Sequence, residues 1–434
     1  MKTMITFSQL FRKLIIKRLH YMCIFILIVI ILLNKLLVNE RNEASTTSYN
    51  LVIYQNLDMT FTQICESLLN IEPNQTIAKQ YEHYSTKQHY IDQWETLNNC
   101  KIFQNSFKYL LWSNKEELDY PIGFAFTVYE NIERVARLLR LLYRPHNLYC
   151  IHVDRKASDD FYHSIINLAK CFGKNVEIIQ RSQSVSVKWG HFSVLDSFLK
   201  CTEVMLNNTK IQWKYVMNIN GKELPLRTNW ELIKAMKALN GSNIIGCTTK
   251  NGPKKRLPRR KPSFNVTWIK GSFLAVLRRE FVSYIHTSPY SIELLNILRE
   301  EQYLRKIPDE MFLSTLAYNP QLQAPGACKE FSPPNENDNQ STFVSRFVIW
   351  KPKKCVTGRR YHTICMLGVQ HLYNLTKRQE FFVNKFQIGF YDTAYDCLEY
   401  WILKKMQNER MTGRLDPTFN TRFYAELHCS KNHI

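Results

Sequence analysis

Residues 120–157 read YPIGFAFTVYENIERVARLLRLLYRPHNLYCIHVDRKA, and the alternation inside this stretch decides the fold class. After Pro121, the run from Ile122 to Tyr129 is short and apolar, as in a strand buried on both faces. Ile132, Val135, Ala136, Leu139, Leu142 and Tyr143 then recur at helical spacing. NLYCIHVD, residues 147–154, is a second strand. The pattern continues with a helix over 158–171, a strand at NVEII (175–179), a helix over 193–206, a strand at KYVMNI (214–219) and a helix over 230–239. Strands alternating with helices of this length predict an α/β domain of parallel βαβ units. Ligands of such sheets bind beyond the carboxyl ends of the strands, which points to Asp154 after the second strand and Gly221 after the fourth.

Residues 1–20 carry Lys2, Arg12, Lys13, Lys17 and Arg18 and no acid, while 21–38 are apolar apart from Asn34 and Lys35. Eighteen helical residues span about 27 Å, close to the hydrocarbon thickness. The charge asymmetry keeps the tail 1–20 in the cytosol and sends the rest across the membrane. A cleaved signal peptide is the alternative, but no small-x-small site follows the apolar run. The expected organisation is a tail over 1–20, a signal anchor over 21–38, a polar lumenal stem over 39–118 that orders near Cys65 and Cys100, and a main folded domain over 119–434. Six N-x-S/T sequons fall on the lumenal side, at Asn74, Asn207, Asn240, Asn265, Asn339 and Asn374. One of the 12 cysteines lies in the span, leaving an odd number for a disulfide-forming compartment.

The chain of 434 residues carries 58 Lys+Arg against 37 Asp+Glu, a net +21, with 45% hydrophobic residues. That composition excludes wholesale disorder and favours an anionic partner: nucleic acid, a membrane surface or a phosphate-bearing ligand. A lumenal domain meets no nucleic acid, so the basic run Lys250, Lys254, Lys255, Arg256, Arg259, Arg260 and Lys261 is read otherwise. No G-x-G-x-x-G follows the first strand, and no P-loop, H-E-x-x-H, C-x-x-C or D-x-D occurs. Without a D-x-D to hold a divalent ion, positive side chains would have to meet a diphosphate. Lys385, alone in FFVNKFQIGF (381–390), is one candidate, although a snorkelling lysine would look the same. CVTGRRYHTIC (355–365) reads as a loop that a Cys355–Cys365 bridge could close, presenting Arg359, Arg360 and His362. Asp309 and Glu310 open a helix in IPDEMFLSTLAY (307–318), where acids also serve as first-turn residues.

The opening stretch resembles the core 2 and I-branching β-1,6-N-acetylglucosaminyltransferases, whose wider family includes peptide O-xylosyltransferases. WGHFSVLDSFLKC (189–201), WKYVMNINGKELPLRTN (213–229), KGSFLAVLRREFV (270–282), PDEMFLSTL (308–316), RFVIW (346–350), FVNKF (382–386) and CLEYW (397–401) follow in the family's order. The resemblance covers roughly residues 60–400 and implies a metal-independent GT-A-like nucleotide-sugar transferase fold. It implies that Glu310 is the catalytic base, that Thr127, Val128, Tyr129, Asp154 and Trp189 line the donor's uridine end, and that Lys385 with an arginine of the disulfide loop grips the diphosphate. It implies acceptor contacts at Lys254, Arg256 and Trp350. It also implies the disulfides Cys65–Cys397, Cys100–Cys171, Cys150–Cys201 and Cys355–Cys365, leaving Cys247, Cys328 and Cys429, of which one stays free or bridges to a second chain as a homodimer.

This chain departs from the pattern at three places. The disulfide loop is one residue longer, so the family arginine falls on His362, and a shifted loop would present Arg360 instead. The segment before the basic run lacks an expected glutamate, and Pro352 stands where the family has a tyrosine. The expected activity is transfer of GlcNAc from UDP-GlcNAc, with inversion and no metal or other cofactor, to the GalNAc of Galβ1-3GalNAc on mucin-type O-glycoproteins at the Golgi membrane. The alternatives are I-branching on poly-N-acetyllactosamine, peptide xylosyl transfer, and an inactive lectin-like protein that only binds glycans.

Overall fold

A computed structural model describes residues 59–71, 75–81, 100–251, 254–330 and 343–434. The expected tail, the span 21–38 and the sequons at Asn74 and Asn339 lie outside these residues. Among the described residues no helix is long and apolar enough to cross a membrane.

The alternation in the opening stretch becomes β1 (Ile122–Val128), the helix Ile132–Leu142 and β2 (Leu148–Val153). The helix Asp159–Phe172, β3 (Val176–Ile178), the helix Phe192–Asn207, β4 (Tyr215–Asn220) and the helix Asn229–Ala238 follow as the periodicity predicts, within a residue or two. Ser158 is the cap of its helix, its Oγ accepting from the Phe161 N–H at 3.2 Å. Thr228 and Glu231 close a reciprocal capping box at the start of Asn229–Ala238.

β5 (Glu223–Pro225) leaves this sheet directly after β4, and β6 (Ile244–Asn251) and β7 (Ile269–Arg278) return to it. The main sheet has the order β3-β2-β1-β4-β7-β6. β1 pairs in parallel with both β2 and β4, and β2 with β3, whereas β7 runs antiparallel to β4 and β6. The sheet is therefore mixed rather than wholly parallel. Its core is packed by Leu195, Phe198 and Met205 of the helix below, with Ala125, Leu148, Trp213 and Val216 from the sheet side.

Gly271 fixes how the helix Asp309–Ala317 lies on this sheet. A Cβ there would come within 2.1 Å of the Gly246 carbonyl and 2.6 Å of Ser314 Cβ. The vacancy lets Ser314 Oγ donate to the Ile269 carbonyl at 2.6 Å and Thr315 Oγ1 accept from the Ile269 N–H at 3.0 Å.

A small second sheet orders β5, β11 (Phe382–Asn384) and β8 (Arg346–Phe347), with β11 central. Buried Arg346 pairs with Glu223 at 2.7 Å, so segments far apart in sequence are locked at the end of β4. The helix Asp392–Thr412 is joined to Ile132–Leu142 by buried Arg137–Asp396 at 2.5 Å and Arg140–Glu399 at 2.7 Å.

The compact unit runs Thr60–Ile434, so the expected stem boundary at 118/119 falls inside it. The helix Met59–Asn70 buries Phe61, Ile64, Leu68 and Leu69, and its Cys65 is bonded to Cys397. The helix Cys100–Phe107 is bonded through Cys100 to Cys171 and packs Phe103 and Phe107 on Phe172. Polar composition hid these amphipathic turns. Each buries one apolar stripe, and the disulfide adds to polar attachments: Glu66 to Tyr400 and Lys404, and Gln104 to the Cys171 carbonyl.

Cys150–Cys201 and Cys355–Cys365 are also formed, together with a fifth bridge, Cys328–Cys429. Cys247, the one described cysteine outside a disulfide, is fully buried, and burial pushes its thiol up to about 11. Among the described residues it therefore offers no accessible sulfur for a bridge to a second chain. The described sequon residues Asn207, Asn240, Asn265 and Asn374 are all exposed. Replacing Cys65 and Cys397 with alanine is expected to destabilise the unit by about 2–5 kcal/mol, the usual range for a native disulfide. A denaturant midpoint unchanged in the double variant would contradict this.

Candidate functional site

Sheet order sets the location. From β1 the chain moves to β2 and β3 on one side and later returns to β4 on the other. The crevice where the order reverses lies outside the carboxyl ends of β1 and β4. β1 delivers Thr127, Val128, Tyr129 and Glu130 there, and β4 delivers Asn220, Gly221 and Lys222.

Thr127 Oγ1 is 3.2 Å from Ser197 Oγ, and the Val128 carbonyl accepts from the Asp154 N–H at 2.9 Å. Asp154 is buried at the end of β2. Its Oδ1 accepts from the N–H groups of Lys156 at 2.9 Å and Val187 at 3.3 Å. His152 Nε2 accepts from the Val185 N–H at 2.9 Å, and burial drives that imidazole down to about 4. These bonds hold the loop that ends in exposed Trp189. The Trp189 ring stacks on His362 with centroids 6.2 Å apart and planes 14° apart. The Arg305 guanidinium sits 4.2 Å over the same ring.

His362 belongs to the disulfide loop, whose hairpin pairs β9 (Arg360–Tyr361) with β10 (Ile364–Cys365). Arg360, the residue expected to face the diphosphate, donates to the carbonyls of Thr363 on its own loop and of Lys353 just before it. Arg359 lies over Phe390. The loop therefore presents His362 to Trp189, and Tyr361 to the cations beside it. Trp350 is exposed and bridges to Ile364 at the edge of this hairpin.

Two amines meet at Tyr361. Lys385 Nζ is 4.4 Å from its ring centroid and Lys222 Nζ 5.5 Å. Lys385 follows β11, where Asn384 pairs with Glu223. Burial, and then the Lys222 charge, lower the Lys385 amine to about 8. Lys222 Nζ is 2.8 Å from Glu130 Oε1. Burial is the largest influence and opposes its charge, but Glu130 and Tyr129 together offset it and hold the amine above the ordinary range. The sequence reading missed Lys222 and Arg305. Lys222 was within reach of that reading, one residue past the glycine at the end of the fourth strand. Arg305 carries no local signal.

Glu310 opens the helix Asp309–Ala317, which is buried on nearly every side. Its carboxylate is partly exposed and Oε2 lies 2.7 Å from Arg256 Nη1. Arg256 sits in the 3-10 turn Lys254–Arg256, with Lys254 exposed beside it. Asp309 is buried with Oδ1 lacking a hydrogen-bond partner, and burial, then the Glu310 charge, push it up to about 7. The Ile307 N–H donates to the Gly190 carbonyl at 2.8 Å, tying this helix start to the Trp189 loop. A line of contacts thus runs from Glu310 through the 305–307 segment and Trp189 to His362, Tyr361 and the two lysines.

Chemically, the arrangement offers a carboxylate at one end and a pair of amines at the other. The amines suit a diphosphate, which two positive charges would stabilise as it leaves. Among the described residues no group of three His, Cys, Asp or Glu is placed to hold a metal ion.

A family model described as Core-2/I-Branching enzyme matches residues 122–376, enclosing β1, β4 and Glu310 and stopping short of Lys385. The beta-1,3-galactosyl-O-glycosyl-glycoprotein beta-1,6-N-acetylglucosaminyltransferase of Bovine herpesvirus 4 is 29% identical over 334 residues, 71% of this chain and 73% of that protein. Enzyme 3 of the same description from Homo sapiens is 27% identical over 372 residues, covering 79% and 80%. Enzyme 4 from Danio rerio is 29% identical over 369 residues, covering 77% and 82%. Apo mouse xyloside xylosyltransferase 1 aligns with 47% of this chain and 83% of its own, at 13% identity and a TM-score of 0.26, too loose to argue from.

Proposed function

The chain belongs to the Core-2/I-branching enzyme family, and from that premise we propose that it transfers GlcNAc from UDP-GlcNAc in β-1,6 linkage to the GalNAc of Galβ1-3GalNAc O-glycans. The observation that carries this reading is the family match across the crevice and Glu310, joined to curated relatives whose names specify that reaction. We read the fold as GT-A-like and the protein as a Golgi type II membrane protein with its catalytic domain in the lumen. The basic, apolar N-terminus and the disulfides support that placement.

Glu310 takes the proton of the acceptor 6-hydroxyl as that oxygen attacks the anomeric carbon, and inversion follows from attack opposite the leaving group. Arg256 holds the carboxylate at 2.7 Å and fixes its direction, with Lys254 exposed beside it; Trp350 is read as an acceptor contact on the family resemblance. The leaving diphosphate gathers negative charge near Lys385 and Tyr361. His362, stacked on Trp189, is better placed than Arg360 to complete that end. Asp154 and the strand end Thr127–Tyr129 frame the nucleoside. A lectin that only bound glycans would have no use for Glu310 and Lys385 together.

Labelled UDP-GlcNAc offered with Galβ1-3GalNAc, poly-N-acetyllactosamine and serine peptides separates these readings. Product only on Galβ1-3GalNAc supports the proposal, and no product on any acceptor sinks it. With fixed cations at the diphosphate, excess chelator is expected to leave the rate unchanged. Loss of activity in chelator with recovery on manganese would overturn the metal-independent mechanism.

A further inference from the structure

Lys222 is two positions past the end of β4, at the reversal point of the sheet, and faces the strand end of β1 rather than solvent. Its side chain is 13% exposed, while that of its partner Glu130 is 45% exposed. Lys222 Nζ also lies 5.4 Å from the Tyr129 ring centroid and 3.4 Å from Gln387 Oε1. The backbone ties this lysine to the other one: the Phe386 N–H donates to the Lys222 carbonyl at 3.0 Å. Two amines thus share the Tyr361 ring, and Lys222 is paired to the half-solvated Glu130 carboxylate.

Like charges held this close repel unless an anion lies between them. Glu130 pairs directly with Lys222 and also bonds Tyr129, and an ion pair with one partner half in water is weak and readily exchanged. A doubly charged diphosphate matches the pair better than one carboxylate does.

We propose that Lys222 is a second cation for the donor diphosphate, held in reserve by Glu130 and exchanging that carboxylate for phosphate oxygens when the donor binds. This rests on the donor reading above and extends it to a residue outside the expected diphosphate grip. Glu130 then acts as a placeholder that the donor displaces, so its removal should help rather than harm binding.

The test titrates the full-length protein in detergent with UDP and with uridine. Lys222→Met should weaken UDP about tenfold, as for loss of one charge-assisted contact, and leave uridine unchanged. Lys222→Arg should bind UDP within about threefold of the parent protein, which controls for folding. Glu130→Gln should bind UDP as tightly or more tightly. Parent-like UDP binding by Lys222→Met overturns the proposal alone, as does equal loss of UDP and uridine, or weaker UDP binding by Glu130→Gln. If the unmodified protein binds neither UDP nor uridine, the donor reading and this proposal fall together.

Discussion

Glu310→Gln is expected to fold, to bind UDP as the parent protein does, and to lose turnover by about 10²–10⁴-fold, the range for a positioned general base. Glutamine keeps the size and the hydrogen bond to Arg256 but cannot accept the hydroxyl proton near neutral pH. The loss should fall on kcat, because the base acts on the acceptor in the transition state while the diphosphate is held at Lys385. A merely structural Glu310 predicts another outcome. Its ion pair with Arg256 is partly solvated, so glutamine would cost at most about 1 kcal/mol and leave turnover intact. If Glu310→Gln turns over within about threefold of the parent, the proton goes elsewhere and the carboxylate serves the helix start.

Lys385 should make donor binding depend on pH. Its amine titrates at about 8 because burial, and then Lys222, disfavour the charge. Bound diphosphate favours the ammonium, so UDP should bind fully below pH 8 and weaken progressively above it, by up to tenfold per pH unit. Stability runs the other way. The folded value lies below the unfolded one, so the buried charge penalises folding below pH 8, and that penalty lifts as pH rises from 8 towards 10.5. Lys385→Ala should therefore be no less stable than the parent at pH 7. It should lose about 10²-fold in kcat/KM, with binding and turnover both reduced. Its UDP affinity should lose the fall above pH 8. A pH profile identical in parent and variant would show that Lys385 does not meet the diphosphate.

The candidate site was partly legible for a physical reason. Lys385 stands out because it places a charge in an apolar run, whereas Glu310 opens a helix beside Asp309 and was singled out only by the family resemblance of its motif. Arg360 was preferred to His362 on loop register. The geometry differs because the Arg360 guanidinium finds carbonyls on its own loop and just before it, while the imidazole stacks on Trp189. Arg256 was assigned to the acceptor, yet its nearest charged partner is Glu310, a pairing 54 positions apart that no local pattern encodes.

The sequence by itself determined the βαβ alternation from β1 to β4, because burial on both faces of a strand and on one face of a helix leaves periods of apolar residues readable within a dozen positions. Its resemblance to the family, rather than its spacing, implied the four disulfides now found. Only the tertiary structure decided that β7 runs antiparallel to β4, that β11 inserts between β5 and β8, and that Cys328 pairs with Cys429. Those outcomes depend on register and loop closure between distant segments, which local periodicity does not carry. The same long-range pairing brings Lys222 beside Lys385 and gathers the charges of the crevice into one site.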